Sequence, residues 1–256
     1  MKKSILAFFA LCFVAVAVFS LLQLSSIAST YREGAQGYEA LAQFVTDSPG
    51  QSSAGADLQE ASRGDLASSF PRVDFAGLSA INPNVAAWLI LEDTQINCPV
   101  VQGADNTFYL NHTFDGTRNS VGALFIDSNN TPGFADQNTI IYGHHMKDGS
   151  MFAILQQYQS QAFFEAHPHM RLLTPEGNYL VELFAAYATD VTANSWRRTF
   201  GDEADFTSWI AEAKDRSDFV SDVDVRPSDR VVTLSTCSYV FDNARYVVLG
   251  RLVPVT

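Results

Sequence analysis

From Val73 onward the hydrophobic positions fall in short runs broken by Gly, Pro, Asn and Asp. The runs are "VAAWLILE", "INCPVVQG", "VGALFIDS", "QNTIIYGH", "HMRLLTP", "NYLVELFAAYAT", "RVVTLSTC" and "ARYVVLGRLV". Each is rich in β-branched and aromatic residues, which suit a pleated, buried surface. Eight such runs predict a mainly β fold, a closed or nearly closed barrel that leaves little exposed strand edge. Two segments break the pattern with helical spacing. "GSMFAILQQYQSQAFFEAH" predicts a helix with Ser150 as its N-cap. "DFTSWIAEAKDR", Asp205 to Arg216, puts Phe206, Trp209, Ile210 and Ala213 on one face.

The N-terminal part has a different texture. Ser4 to Leu24 carries no charge. As a helix it reaches roughly 30 Å, enough to span a bilayer core. Lys2 and Lys3 favour a cytosolic N-terminus, which puts the rest of the chain outside. The competing reading is a cleaved signal peptide, since Ser26-Ile27-Ala28 is an acceptable small-x-small site. The length of the apolar run favours an uncleaved anchor. Tyr31 to Val45 has roughly helical spacing, and Asp47 to Phe70, rich in Ser, Gly and Ala, reads as a linker. The expected organisation is therefore 1–3 cytoplasmic, 4–24 transmembrane, 25–72 a short helix and stalk, and 73–256 one folded domain.

The net charge is −12. Such a surface is repelled by nucleic acid, so no nucleic-acid partner is expected. Cysteine usage is more informative. Cys12 lies in the apolar segment, which leaves Cys98 and Cys237 in an exported domain. Two such residues either form a disulfide or include a working thiol, and composition does not choose between these.

Cys237 ends the run "RVVTLSTC", in polar company with Thr233, Ser235 and Thr236, and a polar turn follows. A strand end is held by the sheet yet opens onto a rim. The thiolate is the nucleophile, and an ordinary cysteine needs a base or cation to supply it. Among the histidines, His144 in "NTIIYGHHM" also closes an apolar strand, so the two residues can share one rim. His112, His167 and His169 read as ordinary surface residues. Arg245 opens the next strand after the loop that leaves Cys237, and a cation there can stabilise a developing oxyanion. Metal chemistry fits poorly. His167-Pro-His169 lacks a second ligand pair, and "DSNNTPGF" has Gly at the wrong position and no closing Glu for a calcium loop.

"TLSTC" and "YGHHM", with Arg245 and an N-terminal anchor, resemble the sortases, cysteine transpeptidases of Gram-positive cell surfaces. The likeness is closest to the class B branch. It extends through "INPNVAAWLILEDTQINCPVVQGADNTFYLNHTF" and "GALFIDSNN…NTIIYGHHMKDGSMFAIL", and covers about residues 73–253. It implies an eight-stranded sortase β-barrel with class B helices: one N-terminal, one after the histidine motif, one between late strands. The domain at 73–256 is then catalytic and extracellular, on a single-pass membrane anchor. Cys237 is implied as nucleophile, His144 as general acid and base, and Arg245 as the group that binds the substrate carbonyl or oxyanion. Asn106, Leu110, Ser235, Thr236 and Thr189 are implied as substrate contacts. The implied reaction cleaves an Asn-Pro-x-Thr-Gly/Asn-like sorting signal after Thr, through a thioacyl intermediate. The partners are surface proteins bearing that signal and an amine of a cell-wall precursor or pilin. No cofactor and no metal are expected. His145 and Cys98 depart from residues common in the branch at those places.

The alternative is an anchored extracellular β-domain that binds a wall polymer or host ligand, with Cys98 and Cys237 joined in a disulfide.

Overall fold

The computed structural model describes residues 2–46, 70–237 and 244–255. Of the linker expected over Asp47 to Phe70, residues 47–69 lie outside the described residues, as does the polar turn after Cys237, while Phe70 is buried under the Arg171 guanidinium. The chain divides into two compact units, Met1–Ala40 and Leu41–Thr256.

The first unit is helical. α1 runs Lys2–Leu41 without interruption, where the sequence predicts a membrane segment and a separate short helix. The junction "SSIAST" contains no Gly or Pro. The hydroxyls of Ser29 and Thr30 donate to the Ser26 carbonyl at 2.9 and 3.0 Å, so these polar residues bond inside the helix instead of ending it. By length and composition this helix is apolar enough to cross a membrane.

In the second unit a two-residue ladder pairs β1 (Val45–Thr46) with β2 (Arg72–Val73). α2 (Phe75–Ile81) follows, capped by the Asp74 carboxylate, which accepts from the Gly77 amide at 2.9 Å. All eight predicted runs then form strands. They are β3 (Val85–Ile90), β4 (Asn97–Val101), β5 (Leu124–Ile126), β6 (Asn138–Tyr142), β7 (His169–Thr174), β8 (Gly177–Asp190), β9 (Val231–Cys237) and β10 (Ala244–Val255). They close into one barrel in the order β10-β8-β7-β3-β4-β5-β6-β9. β4 with β5 and β6 with β9 are parallel pairs; the other neighbours are antiparallel. The buried residues include Trp88, Leu89, Val100, Leu124, Ile140, Ile141, Leu172, Leu183 and Val248.

The segment after the histidine motif is not one helix. It is a 3-10 stretch, Ala153–Gln159, followed by a short α3, Gln161–Ala166. Ser160 separates them with extended backbone (φ −107°, ψ 124°). Ser150 does not cap a helix; its amide and hydroxyl donate to Asp148 at 3.0 and 2.7 Å. The break turns Phe164 onto Phe219, with ring centroids 4.0 Å apart, a contact that the helical pattern alone does not reveal.

α4 (Glu203–Asp215) matches the predicted amphipathic helix. Asp202 caps it, accepting from the Asp205 amide at 2.8 Å. Phe206, Trp209, Ile210 and Ala213 are buried with Tyr187 of β8 and Val231, Val247 and Leu249 of β9 and β10. Four buried side chains on one stripe fix this helix against one face of the sheet.

Candidate active site

β9 is the centre of the site because it has a parallel neighbour on one side and an antiparallel one on the other. On the first side, Tyr142 of β6 stands opposite Ser235, and the Gly143 amide donates to the Ser235 carbonyl at 3.1 Å. Two residues further along each chain come His144 and Cys237. On the second side, Arg245 of β10 is directly opposite Cys237. One strand further, Thr189 of β8 is opposite Arg245. The register thus gathers residues 144, 237, 245 and 189 at one end of four neighbouring strands. Position 237 shares a strand face with Ser235.

His144 leaves β6 through Gly143, where a Cβ would come within 2.5 Å of Leu124 and 2.6 Å of Phe152. Only glycine allows this close passage. The His144 carbonyl accepts from the Phe152 amide at 2.9 Å, and its ring Nε2 lies 2.7 Å from the Leu110 carbonyl oxygen. Its backbone and its ring are therefore both tied.

Arg245 lines an open groove of about 460 Å³ together with Tyr142, Val191, Ala193, Asn194, Trp196 and Arg197. The guanidinium donates to its neighbour's carbonyl, that of Ala244, at 3.1 Å. Trp196, which lines the same groove, donates from Nε1 to Ser235 Oγ at 3.3 Å. Tyr142 donates to Asp127 at 2.9 Å. Burial, then the Asp127 charge and that hydrogen bond, push the Tyr142 phenol well above its usual range. Burial alone would raise Asp127 too. Hydrogen bonds from Asn129, Asn106 and Tyr142 outweigh it and hold this carboxyl below the usual value.

The residues implied as substrate contacts divide. Leu110 is exposed beside His144. Asn106 accepts from the Ser128 amide at 2.7 Å, joining the loop after β4 to the loop after β5. Ser235 is buried under Trp196. Thr189 is buried, and its hydroxyl accepts from Arg216 at 2.9 Å. Thr236 takes the opposite face of β9, opposite Tyr246, and its buried hydroxyl finds no hydrogen-bond partner among the described residues. Sequence reasoning missed Trp196, Tyr142 and Asn194. A tryptophan inside the polar stretch "VTANSWRRT" is the signal that marks the first of them.

Cys98 is a free thiol, buried on β4. Burial pushes it up to about 12. Two strands, β5 and β6, separate β4 from β9. That is about 14 Å around the wall, well beyond the reach of a disulfide, about 7 Å between Cα atoms. The bridge required by the binding-domain alternative is not made. Among the described residues no three His, Cys, Asp or Glu side chains gather as a metal site. In the calcium-like loop, Asp136 accepts instead from Asn130 and from the Thr131 amide.

The "Sortase domain" family model matches residues 89–253. Sortase B of Listeria monocytogenes is 39% identical over 184 residues, 71% of this chain and 75% of that protein. The crystal structure of Staphylococcus aureus Sortase B superposes with a TM-score of 0.68 at 35% identity, covering 71% of this chain and 87% of that one. A Staphylococcus aureus sortase B–substrate complex gives the same TM-score at 34% identity, covering 77% and 88%. A match of this extent in sequence, together with the same closed barrel, establishes that the chain belongs to the sortase family as a class B sortase, a cysteine transpeptidase.

Proposed function

We propose that this sortase cleaves an Asn-Pro-x-Thr-Gly/Asn-like sorting signal after the threonine and passes the new acyl end to an amine. The register that puts Cys237 between Arg245 and the strand leading to His144 supports this reading most. The Cys237 thiolate attacks the threonine carbonyl carbon, and the carbonyl π pair moves to oxygen. Arg245, opposite, stabilises that oxyanion. As the tetrahedral intermediate collapses, the C–N bond breaks, and His144 gives its proton to the departing amine. A thioacyl enzyme remains. The incoming amine attacks it, His144 takes the surplus proton, and the Cys237 thiolate leaves. The acceptor is an amine of a cell-wall precursor or of a pilin subunit.

The open groove lined by Arg245, Tyr142 and Trp196 supports a peptide substrate, and a related sortase B has been solved with its substrate. α1 serves as the membrane anchor, with the barrel outside the cell.

The test is peptide cleavage. Cys237→Ala abolishes turnover of an Asn-Pro-x-Thr-Gly peptide while the domain keeps its melting transition. His144→Ala does the same. Full activity in either variant removes that residue from the mechanism. Arg245→Lys loses most activity, because a planar fork is not replaced by a point charge.

A further inference from the structure

The contact between His144 and Leu110 carries more than anchorage. A carbonyl oxygen only accepts, so at 2.7 Å the Nε2 of His144 is the donor. Nε2 therefore bears a hydrogen in the neutral ring as well as in the cation, and the proton that comes and goes sits on Nδ1. The Leu110 carbonyl is placed by backbone. Leu110 closes the 3-10 turn Phe108–Leu110. The Tyr109 carbonyl beside it accepts from the Ala123 amide at 3.0 Å. The Tyr109 ring is buried, with its hydroxyl accepting from Asn82 and Asn84 at 2.8 and 2.9 Å.

Gly122 faces this shelf. Its φ is +64°, and a Cβ there would lie 2.6 Å from the Tyr109 oxygen, 3.0 Å from the Leu110 oxygen and 3.0 Å from Cδ2 of His144. Two of these neighbours are backbone and do not swing aside. The third is the edge of the proposed catalytic imidazole.

We propose that Gly122 is a positioning residue: by having no side chain it lets the Leu110 carbonyl close on Nε2 of His144, which fixes the Nε2–H tautomer and makes Nδ1 the proton carrier. This rests on His144 having the acid–base role proposed above. In acylation the Nδ1 proton passes to the departing amine, leaving a neutral ring that still holds its Nε2 hydrogen. In the second half Nδ1 takes one proton back from the attacking amine. The Leu110 carbonyl keeps the ring from turning over between the two halves.

Nitrogen-15 NMR of the histidine rings in the unsubstituted full chain, in detergent micelles, tests this directly. His144 signals are assigned by their loss in His144→Asn. Above the ring's titration, His144 is expected to show a pyridine-type Nδ1 and a protonated, pyrrole-type Nε2. A protonated Nδ1 in the neutral ring overturns the proposal. Gly122→Ala is expected to give a mixture of both tautomers and to lower kcat by about 100-fold, the scale of an ångström-level misplacement, with KM within about twofold of the parent. A single unchanged tautomer with unchanged kcat removes Gly122 from this role. His144→Ala separates the two layers. If that variant stays active, the acid–base reading fails. If it is dead but the neutral ring carries its proton on Nδ1, only the tautomer assignment fails.

Discussion

On the Arg245 side of β9, the site is backed by α4, whose Phe206, Trp209, Ile210 and Ala213 are buried against β8 and β10. On the His144 side it is bounded by the loop over 102–123, which has almost no regular structure and is knitted by polar side chains. There Asp105 accepts from Thr107 and the Phe108 amide, Asp115 from Thr113 and Thr117, and Asn119 from the Val121 amide. One flank is held by buried area, which is strong but has no direction. The other is held by bonds that are individually modest and directional. A defect in the first should cost stability before it costs alignment, and a defect in the second should do the reverse.

The largest expected effect tests the apolar flank. Phe206 is fully buried, and Phe206→Ala should destabilise the fold by about 3–5 kcal/mol. Below its lowered melting temperature, kcat should stay near the parent value. A collapse of kcat in folded protein would show that burial also sets the geometry. Asn119→Ala comes next. Asn119 is buried, and leaving the Val121 amide without its acceptor should cost about 1–3 kcal/mol. This loop carries the Leu110 carbonyl, so kcat/KM should drop by about tenfold or more even where the protein is fully folded. Equal loss of activity in the two variants, compared at equal folded fraction, would erase the distinction.

Smaller effects sharpen it. Tyr142→Phe takes a donor from Asp127 and should cost about 1 kcal/mol. It should also raise the Asp127 carboxyl, which hydrogen bonds hold low. A depressed carboxyl stabilises the fold above its unfolded pKa, and that contribution fades as pH falls through the folded value. Acid unfolding of Tyr142→Phe should therefore begin at a higher pH than in the parent. Coincident acid transitions would mean that the phenol does not hold Asp127 down. The smallest effect is at Asp205, which the Arg197 guanidinium and then the Gly201 amide lower to about 2, against an ordinary value of 3.8. Asp205→Asn should change stability slightly at neutral pH, with the difference from the parent vanishing as pH falls from about 4 toward 2. A difference that persists at pH 2 would point to packing instead.

The same contrast explains what could be read in advance. Strands and the α4 stripe were legible because burial writes a period into the chain: every one of the eight apolar runs is a strand, and all four residues predicted on the α4 face are buried there. Cys237, His144 and Arg245 stand at the ends of such runs, and the barrel register brings their backbones to one rim. Polar placement leaves no period. Nothing in "DNTFYL" says that a carbonyl at Leu110 meets a ring 34 positions later. Trp196 reaches Ser235 from a stretch without regular spacing. Thr236 is instructive in another way, since the period of two that predicted β9 also sends the neighbour of residue 237 to the other face. The break at Ser160 escaped because the apolar spacing on both sides of it is helical.

The parallel seam between β6 and β9 joins segments about ninety positions apart, and it can form only after the chain from 138 to 237 has emerged. Such distant pairing is slow and comes late in folding. While the polypeptide is still being synthesised, β9 has not yet found β6, so on the roles proposed above a half-made molecule cannot cut other chains. On that proposal the chemistry waits for the wall to close, which makes completion of folding the switch that arms the enzyme.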